Sequence, residues 1–304
     1  RAMQPGLDAL IHPRSTVDFF EHYHEGNPLV VHGHGEPISP LTSLPFLQSL
    51  EALLHSWPRP IEAHLPDVRD EASAIQTNGT DARKLFANGM GLLFSEANLV
   101  SPILADWLQA IRKDLGISAS TYGRCLIYAT PDGKGTAPHF DHNINFVIQI
   151  SGTKVWRLAP NRHVSHPMSR HTMGLPSDPE LSTYLEAPLP KTMPDDALTF
   201  ELLPGSLLFV PRGFWHATEA QGDAVSLNFT FTAPTWIDLF TAALRSRLIT
   251  APHWRETADG VSDPARRDAA SLRLDLLLSD LVQDLPNWQA TDILDATEGD
   301  TTIK

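Results

Sequence analysis

The sequence has a single cysteine, Cys125, no long apolar run, and fewer basic than acidic residues. One cysteine cannot form an intrachain disulfide, which excludes a disulfide-rich secreted scaffold and favours a reducing cytoplasm. No segment reaches the roughly 20 apolar residues of a membrane span, and the first residues lack the apolar core of a signal peptide. A formal net charge of −13 argues against nucleic-acid binding. We therefore expect a cytoplasmic protein that binds neither nucleic acid nor membrane.

The composition is that of an ordinary globular protein, with 304 residues of which 42% are hydrophobic and 19% charged. Residues 1–120 mix helical and strand patterns. Residues 121–234 are rich in short strands, interrupted at about 161–194 by an insertion that we expect to be a surface excursion. Residues 235–304 show helical periodicity. This order predicts a mainly β fold, a small antiparallel barrel or sandwich, with helical additions.

Ionisable residues interrupt the apolar strand pattern in the stretch HFDHNINFVIQISGTKVWRL, which begins at His139. Because side chains alternate along a strand, His139 and Asp141 share one face. A third candidate, His216, follows the apolar strand and turn PGSLLFVPRGFW. Two histidines and one carboxylate are the ligand set of mononuclear iron(II) oxygenases, and they leave metal positions open for co-substrate and dioxygen. The pattern therefore predicts a metal site at His139, Asp141 and His216.

These motifs resemble the Jumonji-C branch of the cupin-fold, 2-oxoglutarate-dependent oxygenases, and the similarity runs from Cys125 to Phe231. The resemblance is closest to the ribosomal oxygenases and to the asparaginyl hydroxylase of hypoxia-inducible factor. It implies a double-stranded β-helix (a cupin or jelly-roll barrel) flanked by N-terminal and C-terminal helices. It also implies Fe(II), 2-oxoglutarate as co-substrate, and O2. The C-terminal tail lacks a clear counterpart of the winged-helix segment of ribosomal oxygenases, which weakens that particular assignment.

The resemblance also implies roles for five further residues. Lys154 matches the basic residue that pairs with the distal carboxylate of 2-oxoglutarate, and Thr136 matches a threonine that hydrogen-bonds the same carboxylate. Asn145 and Asn228 match asparagines near the metal-binding end of the co-substrate, although Asn145 could cap a bulge and Asn228 could face solvent. Tyr128 is a further candidate for co-substrate contact.

Other histidines and a leucine stripe carry weaker signals. His142 follows the motif but faces away from Asp141, so we exclude it as a ligand. We expect the remaining histidines to be solvated, although those of the insertion could line a substrate entrance. We expect the stripe to be either core or a dimer face. The histidines are His22, His24, His32, His34, His163, His166 and His171, and the stripe is Leu274, Leu277, Leu278, Leu281 and Leu285.

The function implied by the resemblance is hydroxylation of an unactivated carbon, with release of succinate and CO2. The substrate would be a protein, a peptide or an amino-acid derivative, and the net charge of −13 predicts a basic one. A homodimer formed through the C-terminal helices follows by analogy only. Two alternatives stay open: a metal-dependent cupin isomerase or dioxygenase that does not use 2-oxoglutarate, and a catalytically silent binding module.

Overall fold

The computed structural model describes residues 3–33, 35–64 and 74–299. The chain divides into two compact units. Unit 1 comprises residues 1–117 and 122–232, and unit 2 comprises residues 118–121 and 233–304. None of the described helices is long and apolar enough to cross a membrane.

Six α-helices are described in unit 1, and the ends of several follow ordinary capping chemistry. They are α1 (Leu7–Ile11), α2 (Thr16–Glu25), α3 (Ser39–Thr42), α4 (Leu50–Ser56), α5 (Gly79–Ala87) and α6 (Pro102–Leu115). The Ser15 hydroxyl accepts from the Asp18 amide at the start of α2. Likewise Ser101 caps α6, and Gly116 ends it in the left-handed conformation. The apolar face of α6 is buried, which attaches this helix to the core.

Eleven strands are described in unit 1, joined in one sheet with the path β1-β10-β7-β11-β5-β4-β2-β3. Strand β11 also pairs with β6, β6 with β8, and β7 with β9. All of these pairings are antiparallel, so the predicted mainly β fold with helical additions is confirmed. The strands are β1 (Leu29–Val31), β2 (Ile61–His64), β3 (Ile75–Thr77), β4 (Gly91–Phe94), β5 (Tyr122–Thr130), β6 (Gly135–Phe140), β7 (Ile144–Ala159), β8 (His171–Thr172), β9 (Leu198–Leu202), β10 (Leu207–Val210) and β11 (Trp215–Thr232).

Strand alternation separates a hydrophobic core from a polar cavity. On β11, Leu227 and Phe229 belong to the main hydrophobic cluster, whereas Ser226 and Asn228 line the cavity. Strand β5 repeats this division, because Ile127 is in the core and its neighbours in sequence face the cavity. The cupin-type barrel therefore presents its inner face to the site.

The insertion is more than a surface excursion, and the expectation of solvated histidines within it is wrong for His171. Residues 171–172 form β8, which pairs with β6 next to the metal-ligand motif. His171 is only 5% exposed, between the rings of Phe140 and Trp215. Val164 and Met173 join the same apolar cluster. Such packing depends on residues far apart in sequence, and the local pattern gives no sign of it.

Unit 2 consists mainly of three helices, α7 (Trp236–Leu248), α8 (Arg267–Asp284) and α9 (Ala290–Thr297). A capping box between Thr235 and Asp238 starts α7. Arg247 on α7 pairs with Asp284 at the end of α8. No residue of these three helices is buried, so the leucine stripe of α8 is not a core element of the described chain.

Candidate active site

The three predicted metal ligands converge at one end of the barrel. His139 is on β6 and His216 is its direct partner on β11, while Asp141 follows the end of β6. The Asp141 Oδ2 atom lies 3.5 Å from His139 Nε2 and 3.3 Å from His216 Nε2. The ligand atoms of the three residues all lie within 4.8 Å of one another, close enough to share one ion.

Both histidines are oriented by the same short-range hydrogen bond. His139 Nδ1 lies 2.8 Å from the Ala137 carbonyl, and His216 Nδ1 lies 2.8 Å from the Phe214 carbonyl. Because a carbonyl oxygen only accepts, Nδ1 carries the proton in each ring, and Nε2 is left with its lone pair. A metal-binding histidine usually has its other nitrogen fixed in this way.

The electrostatics of the cluster suit a divalent cation. Burial raises the pKa of the Asp141 carboxyl, but His139 and His216 outweigh burial and hold that pKa well below its usual range. Burial lowers the pKa of His139, and His216 lowers it further. Both shifts favour the forms that bind a metal, an ionised carboxylate and a neutral imidazole. Two neutral nitrogens and one carboxylate on a single face fit the donor set of non-haem iron.

The turn before β11 holds the backbone of Asp141 in place. The Gly213 amide donates to the backbone carbonyl of Asp141 at 2.9 Å, and Asn161 Nδ2 donates to the Gly213 carbonyl. Gly213 has a φ of 79°, and an added Cβ would lie 2.8 Å from Pro167 Cδ. The glycine is therefore required both by its backbone conformation and by the insertion packed against it.

A cavity of about 290 Å³ opens beside the cluster. Its volume is at the small end of the range for ligand pockets. All eight residues singled out in the sequence line this cavity: Tyr128, Thr136, His139, Asp141, Asn145, Lys154, His216 and Asn228.

Lys154 is a buried cation in the cavity wall. It is only 5% exposed, and burial lowers the pKa of its ammonium group to about 8. Its Nζ lies 5.9 Å from the centre of the Tyr128 ring. Across residues 3–33, 35–64 and 74–299, no carboxylate forms an ion pair with it. A buried ammonium without an anion is costly, which fits a residue that awaits an anionic ligand.

The predicted amide and hydroxyl groups are also in the cavity wall. Asn228 is 4% exposed and its Oδ1 has no hydrogen-bond partner in the described chain, so the solvent-facing alternative is wrong. Asn145 Oδ1 accepts from the Thr230 hydroxyl at 3.2 Å. The Thr136 and Thr218 hydroxyls lie 3.0 Å apart, in an exposed part of the wall. These groups offer a bound ligand both donors and acceptors.

Comparison with known proteins adds the family. The sequence pattern of the JmjC domain matches residues 105–239. The uncharacterized Bacillus subtilis (strain 168) protein YxbC is 31% identical over 285 residues, which cover 92% of this chain and 86% of that protein. The chain belongs to the JmjC-domain family.

More distant similarities of this JmjC protein reach the ribosomal oxygenases. Ribosomal oxygenase 1 of Rattus norvegicus is 30% identical over 166 residues, or 54% of this chain and 25% of that protein. The chain thus spans a quarter of that relative's length. The structure of YcfD, a ribosomal oxygenase from Escherichia coli in complex with cobalt and succinic acid, superposes with a TM-score of 0.51. It is 18% identical and aligns over 89% of this chain and 67% of that one, which shows a shared fold.

Sequence reasoning on this JmjC protein missed Arg170. The residue comes from the insertion, lines the cavity, and places Nη1 3.7 Å from Asp141 Oδ1. The carboxylate therefore turns Oδ2 to the histidines and Oδ1 toward the arginine. The sequence around it, SRHTM, carries no recognisable signal, and only the fold of the insertion brings it to the site.

The other histidines of this JmjC protein stay outside the cluster. His142 lines the cavity but is not among the residues that could share a metal. His22 bonds the Asp18 carbonyl of its own helix, and His32 bonds the Ser206 hydroxyl. His34 lies outside the described residues.

Proposed function

We propose that this JmjC protein is an iron(II)- and 2-oxoglutarate-dependent oxygenase that hydroxylates an unactivated carbon. The observation that carries the proposal is the pairing of two features in one cavity: a convergent His-Asp-His cluster and a buried lysine that forms no ion pair with any described carboxylate. A metal-dependent cupin that does not use 2-oxoglutarate would need the cluster but not the lysine. A silent binding module would need neither.

In this proposal His139, Asp141 and His216 hold Fe(II) on one face. Iron bound there would supply oxygen activation, with 2-oxoglutarate as the two-electron donor and succinate and CO2 as by-products. The two backbone carbonyls that fix Nδ1 hold both rings in position. Trp156 stacks on His216 with centroids 5.8 Å apart and, being 5% exposed, helps to exclude water from the ligands.

The cavity wall would orient the co-substrate. Lys154 provides the cation for the distal carboxylate, with Thr136 and Tyr128 beside it in the wall. Asn228 offers a buried amide with an unused acceptor, and Asn145 lies on the neighbouring strand.

Succinate release tests this proposal directly. Purified protein given Fe(II), ascorbate and 2-oxoglutarate should form succinate, and His139→Ala should not. If the wild type forms succinate and Lys154→Ala does not, the 2-oxoglutarate-dependent enzyme is supported. If the protein binds metal but Lys154→Ala does not change 2-oxoglutarate binding, a metal-dependent cupin that does not use 2-oxoglutarate is favoured. If the protein binds no metal, the silent binding module is favoured.

The substrate would be a protein, a peptide or an amino-acid derivative. The names of the relatives favour a protein, since ribosomal oxygenase 1 and YcfD are both named ribosomal oxygenases. Incubation with candidate proteins, followed by mass spectrometry for a gain of one oxygen, would identify it. The net charge of −13 by itself predicts a basic partner.

A homodimer through the C-terminal helices is part of the same proposal. Unit 2 leaves large apolar side chains open, with Leu272 65%, Leu276 61% and Val282 65% exposed on α8. An exposed apolar face of this kind usually marks an interaction surface. Light scattering should give twice the monomer mass, and Leu272→Glu with Leu276→Glu should halve it. The control Gln283→Glu, at an exposed polar position of the same helix, should leave the mass unchanged.

A further inference from the structure

The described residues that line the cavity include more cations than anions. The cations are Arg124, Lys154 and Arg170, and the anions are Glu62 and Asp141. In the proposed function Asp141 is engaged by the metal and Lys154 by 2-oxoglutarate, and Arg170 lies 3.7 Å from Asp141. Arg124 is left, and a cation there favours an anionic group on the substrate over the basic substrate that the net charge of −13 predicts.

Arg124 is the cation that the proposed reaction leaves unused. It lies on β5, lines the cavity and is half-buried. Its guanidinium carbon is 5.7 Å from the centre of the ring of Tyr122, which comes two residues earlier on the same strand and is 52% exposed. Within the described part of the chain, no carboxylate pairs with it. The acid beside Tyr122, Glu96, accepts from the Tyr122 hydroxyl and pairs with Arg59.

Strand geometry separates Arg124 from the part of the cavity where Lys154 would hold the distal carboxylate of the co-substrate. Lys154 approaches the ring of Tyr128, which is four residues from Arg124 along β5. Four residues of an extended strand span about 13 Å. The distal carboxylate that Lys154 would hold therefore lies about four strand residues from the level of Arg124, while Asn145, which would lie near the metal-binding end of the co-substrate, is level with Arg124.

Glu62, which also lines the cavity, is likewise distant from Arg124. Glu62 pairs with Leu93, and Leu93 pairs with Tyr128, so Glu62 lies level with Tyr128 in the sheet. It is therefore also about four strand residues away from Arg124. Among the described residues, its ionic neighbour is His64, whose Nε2 lies 3.9 Å from Glu62 Oε2.

The groups level with Arg124 are neutral. Thr230 on β11 is the direct partner of Arg124 and also of Asn145 on β7. Asn143 also lines the cavity. A guanidinium can bind a planar carboxylate through two parallel hydrogen bonds.

We infer that Arg124 forms an anion subsite for the oxidised substrate, which therefore carries a carboxylate near the reacting carbon. The carboxylate could be an Asp or Glu side chain or the α-carboxylate of a free amino acid or chain end. This inference rests on the proposed function, because that function assigns Lys154 and Asp141 to other partners.

Ligand binding to a non-reacting complex tests the subsite. Protein loaded with Mn(II) and saturating N-oxalylglycine, which fills the 2-oxoglutarate position, is titrated with three capped probes. N-acetylglutamate α-amide carries only a side-chain carboxylate, N-acetylglutamine carries only an α-carboxylate, and N-acetyl-lysinamide carries a cation. The variants are Arg124→Gln, Arg124→Lys and the control Arg157→Gln, which removes the same charge from an exposed position on β7.

At least one of the two acids should bind the wild type and Arg157→Gln equally, and bind Arg124→Gln about tenfold or more weakly. Arg124→Lys should recover part of the affinity, and the acid that binds better identifies the source of the carboxylate. Equal binding to the wild type and Arg124→Gln, tighter binding of the lysine probe, or no acid binding would overturn the inference. If Mn(II) or N-oxalylglycine fails to bind, the proposed function itself fails, so the two failures are distinguishable.

Discussion

His139 and His216 are direct partners across β6 and β11, with ring centroids 4.1 Å apart, and each has its Nδ1 fixed by the carbonyl two residues before it. The repeated arrangement leaves two Nε2 lone pairs facing Asp141. Strand pairing and a local backbone hydrogen bond therefore position the donor atoms of the cluster.

Loss of any cluster residue should abolish metal binding. His139→Ala, Asp141→Ala and His216→Ala each leave two ligands, which cannot hold a divalent ion facially. Calorimetric titration with Co(II) should show one site per chain in the wild type and at least 100-fold weaker binding in each variant. The control His55→Ala removes an exposed histidine of α4 and should bind normally. A variant that keeps wild-type affinity would remove its residue from the site.

Lys154→Met should stabilise the protein at neutral pH. Burial lowers the pKa of the Lys154 ammonium to about 8 from 10.5 in the unfolded chain, so the folded state holds this proton less tightly. A shift of that size corresponds to about 3 kcal/mol of lost stability below pH 8, and the loss diminishes as pH rises from 8 to 10.5.

Urea denaturation measures this effect. Lys154→Met should be more stable than the wild type by up to about 3 kcal/mol at pH 7, and the difference should shrink toward pH 10. A variant less stable than the wild type at pH 7 would contradict the conclusion that Lys154 is buried with no anionic partner.

The affinity for 2-oxoglutarate should fall at alkaline pH. The ammonium of Lys154 has a pKa of about 8 without ligand, so its charge is lost above that value. Each further pH unit should weaken 2-oxoglutarate binding by up to about tenfold. Lys154→Arg keeps its charge throughout this range, so its binding should depend much less on pH. Equal pH profiles for the wild type and Lys154→Arg would assign the effect to another group.

Gly213→Ala should weaken metal binding through the backbone. Its φ of 79° is unfavourable for alanine, and the new Cβ would meet Pro167 at 2.8 Å. A cost of about 1–3 kcal/mol is expected for such a position. Because the Gly213 amide holds the Asp141 carbonyl, Co(II) affinity should fall together with thermal stability. Gly133→Ala, which also has a positive φ but an open surrounding, controls for the backbone term alone.

Sequence patterns identified the residues that depend on local spacing. Alternation placed His139 and Asp141 on one face, and the turn before His216 marked the third ligand.

What escaped prediction depends on contacts between distant segments. Arg170 reaches Asp141 only because the insertion packs onto β6, and His171 is buried for the same reason. Arg124 carries no distinctive sequence signal, and only the register of the sheet shows that Glu62 lies far from it. No local pattern encodes such positions, because tertiary packing decides them.

The central claim is that metal and 2-oxoglutarate share one site built from the His-Asp-His cluster and Lys154. The most direct test is titration of 2-oxoglutarate into Co(II)-loaded protein, followed both by heat and by the visible spectrum of the metal. We predict tight binding that changes the Co(II) spectrum in the wild type, at least tenfold weaker binding in Lys154→Met, and no spectral change in His216→Ala. Binding of equal strength in all three proteins, or binding that leaves the Co(II) spectrum unchanged in the wild type, would contradict the account.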